Sequence, residues 1–236
     1  MKIEENKMVK LQDILYKVRL QEVHGSTSVE VNAIQIDSRK VAPGAVFVAI
    51  KGALSDGHTF IAKAIELGAI AIVCETLPAL LNEGITYVQV KNTHEAVAYM
   101  SHLFYGSPTE KIKLVGVTGT NGKTTIATVL FKLFCKLGYQ CGLISTVQNQ
   151  IADTIIPATH TTPDAVSLNA LLQQMLNAGC THVFMECSSH AIHQQHRFAV
   201  GYQVCNGWEC RHGNPTITLA LLPPKANELL MQIRIC

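Results

Sequence analysis

The sequence predicts an α/β protein: a small N-terminal α/β unit followed by a doubly wound, mostly parallel central sheet. Three observations predict it. Short apolar segments of strand character alternate with segments of helical spacing along most of the chain. A polar, Pro-containing run, YGSPTEK (105–111), separates two such stretches. The polar motifs follow directly on strands, which is where ligands bind in sheets of this kind.

The elements follow in order. Residues 11–18 suit a short helix, and IQI (34–36) and VFVAI (46–50) read as strands. Between them DSRKVAPG contains Pro43-Gly44, a tight turn. Phe60, Ile61, Ala64, Ile65 and Leu67 recur at helical spacing until Gly68 stops the helix, and 69–73 and 85–90 return as strands. A helix over 94–104 follows, with a boundary placed before it, near Lys91. The second unit gives strands at 113–117, 141–145 and 182–186, with helices over 124–137 and 164–178. The predicted division is 1–91, 92–199 and a tail, 200–236.

Composition excludes several classes. Charged residues are only 15% against 48% hydrophobic, which points to buried strands rather than disorder, and a formal charge of +2 argues against nucleic acid as a partner. No stretch reaches the roughly 18 apolar residues of a membrane span, and the first residues lack the apolar core of a signal peptide. Eight scattered Cys without a CxxC pair read as reduced thiols of a cytoplasmic protein. Met8 is an alternative start. The tail differs: residues 200–236 hold the only Trp, Pro223-Pro224 and no Asp, without strand–helix rhythm. A divergent tail and a reading frame lost near residue 198 both remain open, and the composition favours the second.

The strongest motif is LVGVTGTNGKTT (114–125). A phosphate loop needs a strand, a glycine-rich turn with exposed amides, and a helix N-terminus; it also needs a Lys for the outer phosphates and a hydroxyl for Mg²⁺. Gly119, Thr120, Asn121, Gly122, Lys123, Thr124 and Thr125 meet those needs for a nucleoside triphosphate, read as ATP, with Lys123 as the catalytic cation. The first Gly of the usual GxxxxGK[ST] spacing would fall on Val117. Behind the loop, Ile126, Val129, Leu130, Leu133, Phe134 and Leu137 trace one helix face.

Other motifs have both plain and functional readings. Glu186 ends the apolar run VFM, so it is either a surface residue or, with Thr124, an oxygen ligand to Mg²⁺. Thr162-Pro163-Asp164 reads as helix cap, first-turn proline and first-turn acid. Asp37-Ser38-Arg39 reads as a hydrogen-bonded turn with an ion pair. Ser188-Ser189-His190 lacks a nucleophile elbow, which argues against a hydrolase. Cys187, His190, His193 and His196 lack the second ligand pair of a soft-metal site.

Four blocks in this order, DSRKVAPGAVFVAIKGALSDGHTFI (37–61), TGTNGKTT, ATHTTPD (158–164) and MECSSHAIHQ (185–194), resemble the Mur ligase family over residues 8 to about 197. The last two resemble the branch that adds the third stem residue. The resemblance implies an N-terminal UDP-MurNAc-binding domain and a central ATP domain present only in part, leaving its sheet incomplete. It implies ATP-driven amide formation on UDP-MurNAc-L-Ala-D-Glu through an acyl phosphate, adding meso-diaminopimelate or L-lysine, with Mg²⁺ held by Thr124 and Glu186. The implied substrate contacts are Ile36, Ser38, His160, Thr161, Thr162, Ser188, Gln194 and Arg197. The run HAIHQQHR is one residue longer than the family pattern, which bears on Arg197. A monomer without nucleic-acid or membrane partners is expected. Residues 198–236 lack the family's further acidic segment and its lysine, so this polypeptide is expected to bind ligands without completing ligation. A non-catalytic fragment and a related ligase such as folylpolyglutamate synthetase are the alternatives.

Overall fold

The computed structural model describes residues 7–52, 55–119, 121–157, 163–187 and, as backbone, 218–222. These fall into two compact units divided between Phe104 and Tyr105.

The first unit runs β1 (Val9–Lys10), α1 (Leu11–Ile14), β2 (Leu20–His24), β3 (Glu30–Val31), β4 (Ala33–Gln35), β5 (Ala45–Val48), α2 (Ile61–Glu66), β6 (Ala71–Cys74), β7 (Thr86–Val90) and α3 (Thr93–Phe104). Its main sheet has the order β2-β7-β6-β5-β4. The pairs β4–β5, β5–β6 and β6–β7 are parallel, and β2 adds antiparallel to β7. Strands β5 and β6 are buried along their whole length, which is why AVFV and AIVC are continuous apolar runs. Gly68 has φ +98°, and a Cβ there would lie 2.8 Å from the Pro43 backbone, so only glycine lets the chain turn back into β6.

Helix α3 belongs to this unit, so the boundary expected near Lys91 lies after Phe104 instead. The reason is packing and polar anchoring. Helix α3 lies on α1 and buries Ala96, Val97, Met100 and Phe104. Its first residue, Thr93, donates both N–H and hydroxyl to Glu75 Oε1, at 2.8 and 2.9 Å, just past the end of β6.

The second unit runs β8 (Lys113–Thr118), α4 (Lys123–Lys136), β9 (Cys141–Ile144), β10 (Gln148–Ile151), β11 (Thr154–Pro157), α5 (Ala165–Asn177), β12 (His182–Glu186) and β13 (Thr218–Leu222). Its sheet order is β11-β10-β9-β12-β8-β13. Strand β12 lies between β9 and β8 and parallel to both, the doubly wound core the sequence predicts. The flanks are antiparallel: a β10–β11 hairpin on one side and β13 on the other. Neither flank is foreseen from the sequence. QNQI is too polar to read as a strand, and Thr218–Leu222 interrupts the tail that showed no strand rhythm. The rest of 188–236, including the stretch where the reading frame is in question, lies outside the described residues.

Helix α4 corrects the apolar face expected of it. Ala127 and Phe131 are its buried residues, Ile126, Leu130 and Phe134 are partly buried, and Val129, Leu133 and Leu137 are exposed. A helix apolar on more than one side does not reveal by pattern which stripe meets the sheet. Phe134 packs 5.1 Å from both Phe184 and His182, ring to ring. On α5 the cap is Asp164 rather than Thr162: its carboxylate accepts from Val166 N and Ser167 N at 2.9 and 3.0 Å, because the helix starts at Ala165. No helix among the described residues is long and apolar enough to cross a membrane.

Candidate functional site

Parallel strands bring their carboxyl ends to one edge of the sheet, where the following loops collect. Here β8 ends in the phosphate-loop sequence, β12 ends on Glu186, and Glu186 lies in register with Val117. Val117, at the position of the missing consensus glycine, is fully buried within β8, so the turn is made by Gly119 and Gly122. Gly122 has φ +79°, the left-handed region that glycine enters without strain, and it caps α4 with no side chain closing the first turn. The α4 N-terminus, with the positive end of its dipole, opens beside the loop.

Within that edge Lys123 Nζ donates to Gly119 O at 2.8 Å, folding the cation over the loop. The Thr124 hydroxyl donates to Glu186 Oε2 at 3.0 Å. Glu186 is only 4% exposed, so it is not the surface residue of the plain reading. The same oxygen also accepts Thr146 N–H at 3.1 Å and the Thr146 hydroxyl at 2.8 Å. A buried carboxylate beside a hydroxyl, at the mouth of a glycine-rich turn, is a hard-oxygen donor set that suits Mg²⁺. Asn121 and Thr125 are exposed on the loop and first helical turn. Thr120 lies outside the described residues.

The sequence did not single out Thr146. The signal was there: Thr146 is the first residue after the strand that the sequence predicts at 141–145, the region where this fold class recruits ligand-binding groups.

In the first unit, Ile36 follows β4 half-buried, and Ser38 is buried at the start of a one-turn 3₁₀ segment, Ser38–Lys40. Asp37 holds that turn by accepting from Arg39 N at 3.1 Å, and the Arg39 guanidinium grips both its oxygens at 2.9 and 2.8 Å. The plain reading of this motif is therefore realised, and it also fixes Ser38. The Arg39 side chain, chiefly, holds the Asp37 carboxyl down at about 2. Its folded-state value lies below the ordinary ~3.9, so the bond contributes stability above that ordinary value. The contribution is lost as pH falls through about 2. Arg39→Ala is expected to return Asp37 to the ordinary range in a carboxyl NMR titration; an unmoved value would remove Arg39 as the cause.

Nearby, the segment around Gly52 and Gly57 is closed by Gly57 N→Ile50 O at 2.8 Å and Gly52 N→Ser55 O at 3.0 Å. His58 ties it to the sheet. Its Nε2 accepts the Glu75 N–H at 2.9 Å, so the ring proton sits on Nδ1 and donates to Asp56 Oδ1 at 2.6 Å. The His58 backbone N–H, then its ring, lowers the Asp56 carboxyl.

His160, Thr161, Thr162, Ser188, Gln194 and Arg197 lie outside the described residues. So do His190, His193 and His196. The described residues contain no cluster of three or more His, Cys, Asp or Glu placed to hold a metal.

A parallel α/β sheet with a glycine-rich turn, a lysine and a buried strand-end carboxylate has the architecture of the phosphate-loop class. Comparison with known proteins gives the family. Residues 117–204 match the Mur ligase middle domain, and residues 30–105 match the Mur ligase family catalytic domain. The chain belongs to the Mur ligase family. It is 54% identical over 200 residues to the UDP-N-acetylmuramoyl-L-alanyl-D-glutamate--2,6-diaminopimelate ligase of Cytophaga hutchinsonii, covering 84% of this chain and 41% of the relative. The ligase of the same name from Bacteroides fragilis is 50% identical over 197 residues, covering 82% and 41%. That from Listeria monocytogenes is 39% identical over 196 residues, covering 83% and 39%. The chain thus spans about two fifths of the length of these curated relatives. Among solved structures, a UDP-N-acetylmuramoyl-L-alanyl-D-glutamate--2,6-diaminopimelate ligase shares the fold with TM-score 0.67 at 24% identity, covering 88% of this chain and 42% of that one. MurF from Acinetobacter baumannii matches with TM-score 0.54 at 19% identity, covering 76% and 36%.

Proposed function

We propose that this chain carries the ATP-binding and UDP-sugar-binding parts of an ATP-dependent ligase of peptidoglycan precursor synthesis. The reaction would join meso-diaminopimelate, with L-lysine as the alternative, to UDP-MurNAc-L-Ala-D-Glu. Such an enzyme would work in the cytoplasm, as a monomer. The observation that supports the reading most is the convergence of Lys123, Thr124 and Glu186 at the carboxyl ends of β8 and β12, in a chain half identical to ligases bearing that name. In this reading the first unit, up to Phe104, would take the UDP-sugar and the second, from Tyr105, the ATP.

In this reading the D-Glu γ-carboxylate attacks the γ-phosphorus of ATP and ADP leaves. The amine of the incoming amino acid then attacks the acyl phosphate, expelling inorganic phosphate and losing a proton. The chain's own part is mostly electrostatic. Lys123 swings from the Gly119 carbonyl to the outer phosphates and neutralises their charge as the phosphoryl group transfers. The amides of the Gly119–Gly122 turn and the α4 N-terminus cradle the phosphate oxygens. Mg²⁺, when bound, spreads charge from the phosphate oxygens, and Thr124 and Glu186 are the groups that would hold it. Ile36 and Ser38 would meet the uridine diphosphate; His160, Thr161, Thr162, Ser188, Gln194 and Arg197 would meet the sugar-peptide.

Calorimetric titration of the 236-residue chain with UDP-MurNAc-L-Ala-D-Glu and with ATP·Mg²⁺ tests this reading. Ser38→Ala is expected to weaken the UDP-sugar by one hydrogen bond, about 1 kcal/mol, and to leave ATP untouched. Loss of both ligands together, or of neither, would contradict the assignment of the UDP-sugar to the first unit.

A further inference from the structure

We propose that Thr146 is a positioning residue for Glu186: it fixes one carboxylate oxygen so that the other is presented to the divalent cation of the bound nucleotide. The inference rests on the ATP·Mg²⁺ reading of the site.

Strand order makes the contact. Strands β9 and β12 are parallel neighbours, with Ile144 opposite Met185, so the last residue of β12 meets the turn just past β9 although 40 positions separate Thr146 from Glu186. The turn that carries Thr146 is itself held. Ser145 is buried; its hydroxyl donates to Gln148 O at 2.7 Å and accepts the Gln148 N–H at 3.2 Å. Thr146 then reaches Glu186 Oε2 with two donors from one residue, its amide at 3.1 Å and its hydroxyl at 2.8 Å. Two donors on one oxygen fix the rotation of the carboxylate, which a single donor leaves free.

Thr124 supplies the third donor to Oε2. A hydroxyl can donate its hydrogen to a carboxylate while offering a lone pair to a cation, so this bond survives metal binding. Among the described residues no hydrogen bond reaches Oε1. One oxygen is thus anchored by threonines, and the proposal gives the other to the cation, the way outer groups orient metal-binding side chains. Thr146 is exposed, so replacing it leaves no hole in the packed core.

The test uses Mn²⁺ as the probe, titrated by electron paramagnetic resonance into the 236-residue chain saturated with ADP, and compares ADP affinity in excess EDTA. Thr146→Val keeps the shape and removes the hydroxyl. It should weaken Mn²⁺ about tenfold or more, within the ~10- to 100-fold span of lost orienting contacts. Thr146→Ser should restore most of that affinity, and metal-free ADP affinity should be the same in all variants. Unchanged Mn²⁺ affinity in Thr146→Val overturns the proposal, as does an equal loss of metal-free ADP, which would mark a merely structural role. Glu186→Gln separates the two levels. It should abolish tight Mn²⁺ binding; if it does not, the ATP·Mg²⁺ site itself is misassigned and the role of Thr146 falls with it.

Discussion

Lys123→Ala should weaken ATP·Mg²⁺ binding by one to two powers of ten, while Lys136→Ala, at the other end of the same helix, leaves it unchanged. The basis is a charge-assisted contact to phosphate, typically worth about 1.5–3 kcal/mol. Lys123 is already folded over the turn, donating to Gly119 O, so the ammonium needs only a short swing to reach an outer phosphate. Lys136 lies in the last turn of α4, some 13 residues on, and its charge is screened by solvent at that distance. Fluorescence titration with a labelled ATP measures both. Equal effects of the two substitutions would sink the phosphate-loop assignment.

Phe184→Ala should cost about 3–5 kcal/mol of stability, and the loss should fall in the second unit. Phe184 is 1% exposed on the central strand β12 and packs with Val115, Val117, Ala127, Phe131 and Leu143. Truncation leaves a cavity where α4 meets the sheet. Phe184 and Glu186 point to the same face of β12, since side chains alternate along a strand. The substitution should therefore also loosen the site, without removing any polar group from it. Hydrogen exchange read by mass spectrometry should show faster exchange in β8, β9 and β12 and little change in β4–β7. Phe184→Leu, which keeps most of the volume, should cost far less. Uniform loss of protection across both units would contradict a core local to the second.

Much of the site was legible because its parts are contiguous. The phosphate loop needs a strand, a turn and a helix in succession, and residues 113–136 supply all three in order. Glu186 was legible as the first charged residue after an apolar strand, though its burial was not. Asp37 and Arg39 sit two residues apart, so their turn follows from local chemistry. The α5 cap was also local, but the sequence reading placed it on Thr162 and took Asp164 as a first-turn acid. Only the actual start of α5 decides between them.

The sequence by itself determined the alternation of strands and helices, the turns that need glycine, and the phosphate loop, because each depends on neighbours within about a dozen residues. The tertiary structure alone decided the rest. It placed α3 in the first unit, because Glu75 and α1 hold it there. It chose Ala127 and Phe131 as the buried stripe of a helix apolar on several sides. It brought Thr146 against Glu186 by setting β9 beside β12. Those outcomes rest on strand order and on which faces pack, and both are settled by contacts between residues far apart in the chain, which no local pattern encodes.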